Sequence, residues 1–185
     1  PIPNMSGESE FCEVFFDSVH VPKANLVGEL NRGWTIAKSL LGFERIFIGS
    51  PPQCQHSMAQ LDTLATTLGL YDDAAFAARF AELQLDVADL SAAYGHFAGI
   101  VKRGEELPPS VSLLKIWATE TYTRIGALLA EIAEEHGGDH PSKGAGDFPV
   151  NAVAPLMNAM VHTIYSGTNE IQRNSIAAAG LRLPK

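Results

Sequence analysis

Between Asp72 and Arg103 the apolar side chains return at every third or fourth position, through Phe76, Phe80, Leu83, Val87, Leu90, Tyr94, Phe97 and Val101. That period belongs to one face of one helix, and so long a face must be buried against other long elements. Asp72-Asp73 supplies the side-chain oxygens that cap a helix start. After a turn over Gly104–Pro109 a second stripe follows, Leu113, Leu114, Trp117, Ile125, Leu128, Leu129 and Ile132, with Ser110 as its expected cap and Gly137-Gly138 as its expected end. Two long helices joined by a short turn pack antiparallel, which is the beginning of an up-down bundle.

The rest of the chain extends that pattern. Asn31 is placed to cap a helix that begins Arg32-Gly33-Trp34 and carries apolar residues at Trp34, Ala37, Leu41 and Ile48. Ser50-Pro51-Pro52 must bend or restart it, because a mid-helix proline loses a backbone bond and clashes with the preceding turn. Helical sequence resumes from Gln53 to about Leu68 and stops at Gly69; shorter helices are expected over Ala152–Tyr165 and Glu170–Ala179, after a Gly- and Pro-rich loop from His136 to Pro149. Residues 6–29 instead read as strand and turn, with Phe11-Cys12-Glu13-Val14-Phe15-Phe16 as the strand. The chain opens on Pro1 rather than Met, and a strand so near an end needs partners that the sequence scarcely offers, so a piece of a larger protein is expected. The predicted architecture is therefore all-α, an up-down four-helix bundle over residues 31–185, preceded by a short β remnant over residues 1–30.

Composition removes several classes of function. The formal charge is −8 with only 13 Lys and Arg, none in a run, so a nucleic-acid surface is not expected. Apolar runs are interrupted well short of the roughly 20 residues of a membrane span. Cys12 and Cys54 form neither a metal-binding spacing nor a disulfide framework, which fits a reducing cytoplasm.

Three segments hold chemistry worth weighing. Glu44-Arg45 stands among Leu40, Leu41, Phe43, Ile46 and Phe47. Apolar company favours the neutral form of a carboxylate, the tuning a proton-abstracting base needs, while an ordinary ion pair at a helix surface is the competing reading. Gly137-Gly138, with Gly144-Ala145-Gly146 beyond, can bring main-chain N–H groups close to a phosphate or can simply end a helix. His136 and His140 flank those glycines with no third metal ligand in view, so no metal site is expected. In Ile164-Tyr165-Ser166-Gly167-Thr168-Asn169-Glu170-Ile171-Gln172-Arg173, Thr168 is a candidate N-cap, leaving open whether the turn is more than a helix start.

At three places the sequence resembles the acyl-CoA dehydrogenase family, in the family's order. Met5-Ser6-Gly7-Glu8-Ser9-Glu10-Phe11 through Asp17, then Val21-Pro22, Asn25-Leu26-Val27-Gly28-Glu29 and Asn31-Arg32-Gly33-Trp34, is similar to the passage from its middle β-domain into its C-terminal bundle. Tyr165–Arg173 is similar to its flavin-contacting turn, and Gly180-Leu181-Arg182-Leu183-Pro184 to its ending. Asp72-Asp73, Leu83-Gln84-Leu85-Asp86 and Ser112-Leu113-Leu114-Lys115-Ile116 look most like the large-subunit, pimeloyl-CoA dehydrogenase type.

The resemblance implies FAD as cofactor, an acyl-CoA substrate oxidised to a trans-2-enoyl-CoA, electron-transfer flavoprotein as electron acceptor, and a homo- or hetero-oligomer. Many members carry the base just before the Gly-Thr of the final turn, but Ser166 stands there and cannot deprotonate a carbon acid. A branch resembling isovaleryl-CoA dehydrogenase carries it in the first bundle helix within a Glu-Arg pair, which Phe43-Glu44-Arg45 matches. Glu44 is thus the implied general base, Arg45 its electrostatic partner, and the Ser166 main-chain N–H the donor to the thioester oxygen. Thr168 and Glu170 fall where the family contacts FAD, and Gly137-Gly138 where the flavin phosphates of a neighbouring subunit are approached.

Three departures stand against this. No Arg or Lys occurs from Ile46 to Ala78, where the family has an Arg-x-x-Phe-Gly flavin contact; Glu134 replaces a glutamine; Met157-Asn158 replaces an Arg-Asp pair. They leave room for a non-catalytic partner subunit, and a flavin oxidase on the same scaffold is not separable by sequence.

Overall fold

The computed structural model describes residues 1–5, 9–136 and 152–183, and divides the chain into two compact units, Pro1–Glu44 and Arg45–Lys185. Helix α1 (Gly33–Ile48) includes the division.

In the first unit the expected strand shrinks to one antiparallel bridge, where the Ile2 N–H donates to the Phe11 carbonyl at 2.7 Å. Val14, Phe15 and Phe16 are exposed. A β-ladder needs at least a second long strand to satisfy its backbone and cover its apolar face, and none is present among the described residues.

The second unit is an all-α bundle built from α2 (Pro52–Leu68), α3 (Ala74–Lys102), α4 (Ser112–Glu135), α5 (Val153–His162) and α6 (Asn169–Ser175). Pro52 starts α2 at its first turn, where a missing N–H costs nothing. Gly69 ends it at φ +69°, the left-handed conformation glycine adopts without strain. Asp73 caps α3 by accepting the Ala75 N–H at 2.8 Å.

Helix α4 is central, packing against α2, α3, α5 and α6. Its Leu114, Ile125 and Leu129 meet Leu61 and Leu64 of α2 and Leu90 of α3 in a core with no solvent exposure at those positions. Helix α5 approaches α4 closely because residue 126 is glycine: a Cβ there would lie 3.0 Å from the Leu156 Cα.

Two expected details differ. Ser110 does not cap α4; Pro109–Val111 form a tight turn that delivers the chain to Ser112 with no side-chain cap. The stripe ends also shift: Val101 and Leu113 are 37% and 47% exposed, and Ile100 is buried in place of Val101. A strict step of three or four drifts from the true 3.6-residue turn, so stripe ends leave the buried face first.

Candidate active site

The chain leaves α5 at Thr163 and enters α6 at Asn169, and the turn between them is the part of the second unit with the most polar architecture beneath it. Thr168 caps α6, its hydroxyl accepting the Ile171 N–H at 3.2 Å. Ser166 and Gly167 both take left-handed backbone angles, φ +53° and +82°. Gly167 has little alternative, since a Cβ would lie 2.7 Å from Gln172 Nε2. Ser166 sits in a region sparsely populated by side-chain-bearing residues, a conformation that persists only where the surroundings enforce it.

Those surroundings are buried and specific. Lys115 of α4 is completely enclosed, and its ammonium donates to Asn169 Oδ1 at 2.7 Å and to the Thr163 carbonyl at 3.1 Å. The Asn169 main-chain N–H donates to the same carbonyl at 3.0 Å. Asn169 Nδ2 donates to Thr119 Oγ1 at 3.1 Å and Glu120 Oε1 at 3.3 Å, and Glu120 accepts from Arg173 at 2.5 Å. Below the turn, Gln172 Nε2 lies 3.4 Å from both the Ser166 and the Gly167 carbonyl oxygens, while its Oε1 is buried with no partner among the described residues.

Burial pushes the Lys115 ammonium below the usual lysine range, and the nearby Glu170 and Glu120 carboxylates partly restore it. Glu170 is held below the usual carboxylate range by its own main-chain N–H and the Thr168 hydroxyl, with Arg173 and Lys115 adding to the effect. Among the described residues no acceptor meets the main-chain N–H of Ser166 or Gly167. The turn therefore keeps two main-chain donors uncommitted above a hydrogen-bonded polar base, an arrangement suited to a carbonyl oxygen.

Of the residues nominated from sequence, Ser166, Thr168 and Glu170 share this turn. Glu44 is half-buried on α1 as the last residue of the first unit, and Arg45 follows it in the same helix. Gly137 and Gly138 lie outside the described residues. Sequence reasoning missed Lys115, Thr119, Asn169 and Gln172. A signal for the first two existed: Lys115, Thr119, Tyr122 and Gly126 recur at helical spacing and are all buried, a second α4 face of mixed polarity beside the apolar stripe.

The model of the acyl-CoA dehydrogenase C-terminal domain matches residues 31–181. The chain belongs to the acyl-CoA dehydrogenase family. Acyl-CoA dehydrogenase IpdE1 of Mycolicibacterium smegmatis is 29% identical over 187 residues, covering all of this chain and 45% of that protein. The mitochondrial short/branched chain specific acyl-CoA dehydrogenase of Rattus norvegicus is 27% identical, over 91% of this chain and 39% of its own length. Among solved structures, the Tcur3481-Tcur3483 steroid ACAD superposes with a TM-score of 0.82 over the whole chain and 48% of that protein, at 21% identity, a likeness of fold. The chain thus spans between about a quarter and a half of the length of the acyl-CoA dehydrogenases it matches. Acyl-CoA dehydrogenases are oxidoreductases, and FAD is the cofactor at family level. Among the described residues no helix is long and apolar enough to cross a membrane.

Proposed function

We propose that this chain is the C-terminal part of an acyl-CoA dehydrogenase that oxidises an acyl-CoA thioester to its trans-2-enoyl-CoA. Residues 1–30 are then the end of a β-domain and residues 31–185 the bundle domain. The observation that carries the reading is the Ser166–Gly167 turn, with unspent main-chain donors held on a buried polar base.

Each residue has a distinct task. The Ser166 N–H donates to the thioester oxygen, where negative charge gathers as the α-carbon loses its proton, so the contact strengthens toward the transition state. Glu44 accepts that proton, because Ser166 is far too weak a base to do so. Arg45, the next residue of α1, is its proposed electrostatic partner. FAD, when bound, supplies the acceptor for the β-hydride. The turn fits that cofactor: Thr168 and Glu170 would hold it, and the carboxylate of Glu170, kept ionised, suits sugar hydroxyls of FAD better than its phosphates. Gly137-Gly138 would approach the phosphates of a neighbouring subunit's flavin, which implies an oligomer, and electron-transfer flavoprotein would take the electrons onward.

A second reading, a non-catalytic subunit that supports a flavin-bearing relative, is favoured by one observation: no Arg or Lys stands between Ile46 and Ala78 to grip the cofactor. The two separate on the full-length product of the reading frame. Yellow protein that bleaches with acyl-CoA, and does so about 10²–10⁴-fold more slowly as Glu44→Gln, establishes the dehydrogenase and its base. Colourless protein that binds a flavoprotein relative establishes the partner subunit instead.

A further inference from the structure

The buried ammonium of Lys115 has no role in the chemistry above, yet it occupies the most costly position in the bundle. An ammonium withdrawn from water loses several kcal/mol of hydration, recovered only through close, well-aligned partners. Here its two acceptors stand at opposite ends of one turn: the Thr163 carbonyl where α5 ends, and Asn169 Oδ1 where α6 begins. Ser166 lies midway between them at φ +53°. The partners are themselves tied down, Asn169 by Thr119 and Glu120, and Glu120 by Arg173.

We propose that Lys115 is a positioning residue for the reaction: a staple from α4 across the α5–α6 turn that fixes the Ser166 N–H where the thioester oxygen is received. The proposal rests on the dehydrogenase reading. A hydrophobic side chain of the same size would fill the space equally well and avoid the hydration loss. It would leave the gap between Thr163 and Asn169 to the single main-chain bond from the Asn169 N–H to the Thr163 carbonyl, and Ser166 freer to relax toward an ordinary backbone angle. Donor placement has to hold to a fraction of an ångström for charge stabilisation to be realised, so that relaxation is paid in rate rather than in folding. Glu170 and Glu120 both bear on the ammonium and partly offset the effect of its burial.

The test compares wild type with Lys115→Met, and with Asn169→Ala, which opens the same staple from the turn side if the first variant does not fold. In the full-length flavoprotein the expected result has three parts. Cooperative thermal unfolding and flavin content are retained, and amide exchange at Ile164, Tyr165 and Asn169, the turn residues whose N–H groups are hydrogen-bonded, rises about 10-fold or more while α3 is unchanged. The turnover number falls at least about 10-fold with little change in KM, short of the 10²–10³ lost when such a donor is removed outright. The infrared shift of the carbonyl of a bound, non-oxidisable acyl-CoA analogue shrinks toward its value in water. A merely structural lysine would lower unfolding temperature without moving the carbonyl. Unchanged exchange over the turn together with an unchanged carbonyl shift overturns the staple. A wild-type protein that neither bleaches nor shifts the thioester carbonyl overturns the dehydrogenase reading and the thioester role with it, while the exchange data still report whether Lys115 holds the turn.

Discussion

Helix α3 buries six of its 29 residues and α4 thirteen of its 24. The two run side by side, yet α3 has one face in the core and the other open among the described residues, whereas α4 meets neighbours on several sides. An outer helix needs only a stripe, and a stripe is what a 3.6-residue period reveals. A central helix must solve a different problem: every side chain that touches a neighbour has to match it in volume and polarity. That explains why α4 carries Lys115, Thr119, Thr121, Tyr122 and Gly126 in buried positions where α3 carries only hydrocarbon and aromatic groups. The candidate site grows from α4 for the same reason, since only a helix within the core can hold a turn from beneath.

Deleting the same side chain from the two helices should separate them most. Leu129 of α4 has no exposure and Leu85 of α3 is 66% exposed. Leu129→Ala is expected to cost about 2–5 kcal/mol in urea unfolding, through lost burial and the cavity left behind. Leu85→Ala should stay within about 0.5 kcal/mol. Equal losses would break the comparison and mean that the outer face of α3 is covered by another chain in solution.

Adding one methyl group should act with opposite signs. A Cβ on Gly126 would sit 3.0 Å from both the Leu156 Cα and its nitrogen and 3.1 Å from the Pro155 carbonyl carbon, all main chain, so α5 must move as a body. Gly126→Ala is expected to destabilise by about 1–3 kcal/mol as overpacking. Gly95 of α3 has nothing within 4 Å of the same position. Gly95→Ala should stabilise by about 0.5–1 kcal/mol, the ordinary gain from replacing glycine inside a helix. A neutral Gly126→Ala would show that α5 is free to give way, and the close α4–α5 contact would lose its structural meaning.

This division also explains what the sequence disclosed. The stripe on α3 is legible because a single property, apolarity, decides each position, and Phe76 through Phe97 are packed as the period requires. The turn at Ser166–Asn169 is legible locally, since Thr168 has the chemistry of a cap and supplies one. Its support is not: Lys115 and Asn169 are 54 positions apart, and a lysine inside Leu113-Leu114-Lys115-Ile116 gives no local sign that its ammonium finds partners rather than solvent. The Phe11–Phe16 strand failed for a related reason, because aromatic and β-branched residues state a preference for β structure but cannot supply the partner strand. Local chemistry is written in adjacent residues, and long-range satisfaction of polar groups is written only in the fold.

The helix starts give the smallest and sharpest contrast. Asp73 is exposed and accepts the Ala75 N–H at 2.8 Å, so α3 depends on its own side chain to satisfy an orphan donor. Helix α4 begins instead with the tight turn Pro109–Val111, and Val111 and Ser112 are already in the core, so tertiary contact fixes its first residues and Ser110 contributes no cap. Asp73→Ala should therefore cost about 1 kcal/mol. Ser110→Ala, a change at the residue that spacing alone nominates as a cap, should cost nothing beyond measurement error. A loss at Ser110 equal to that at Asp73 would mean that α4 needs a side-chain cap in solution. The distinction between a helix held at its own ends and one held by its neighbours would then fail at the place where it costs least to test.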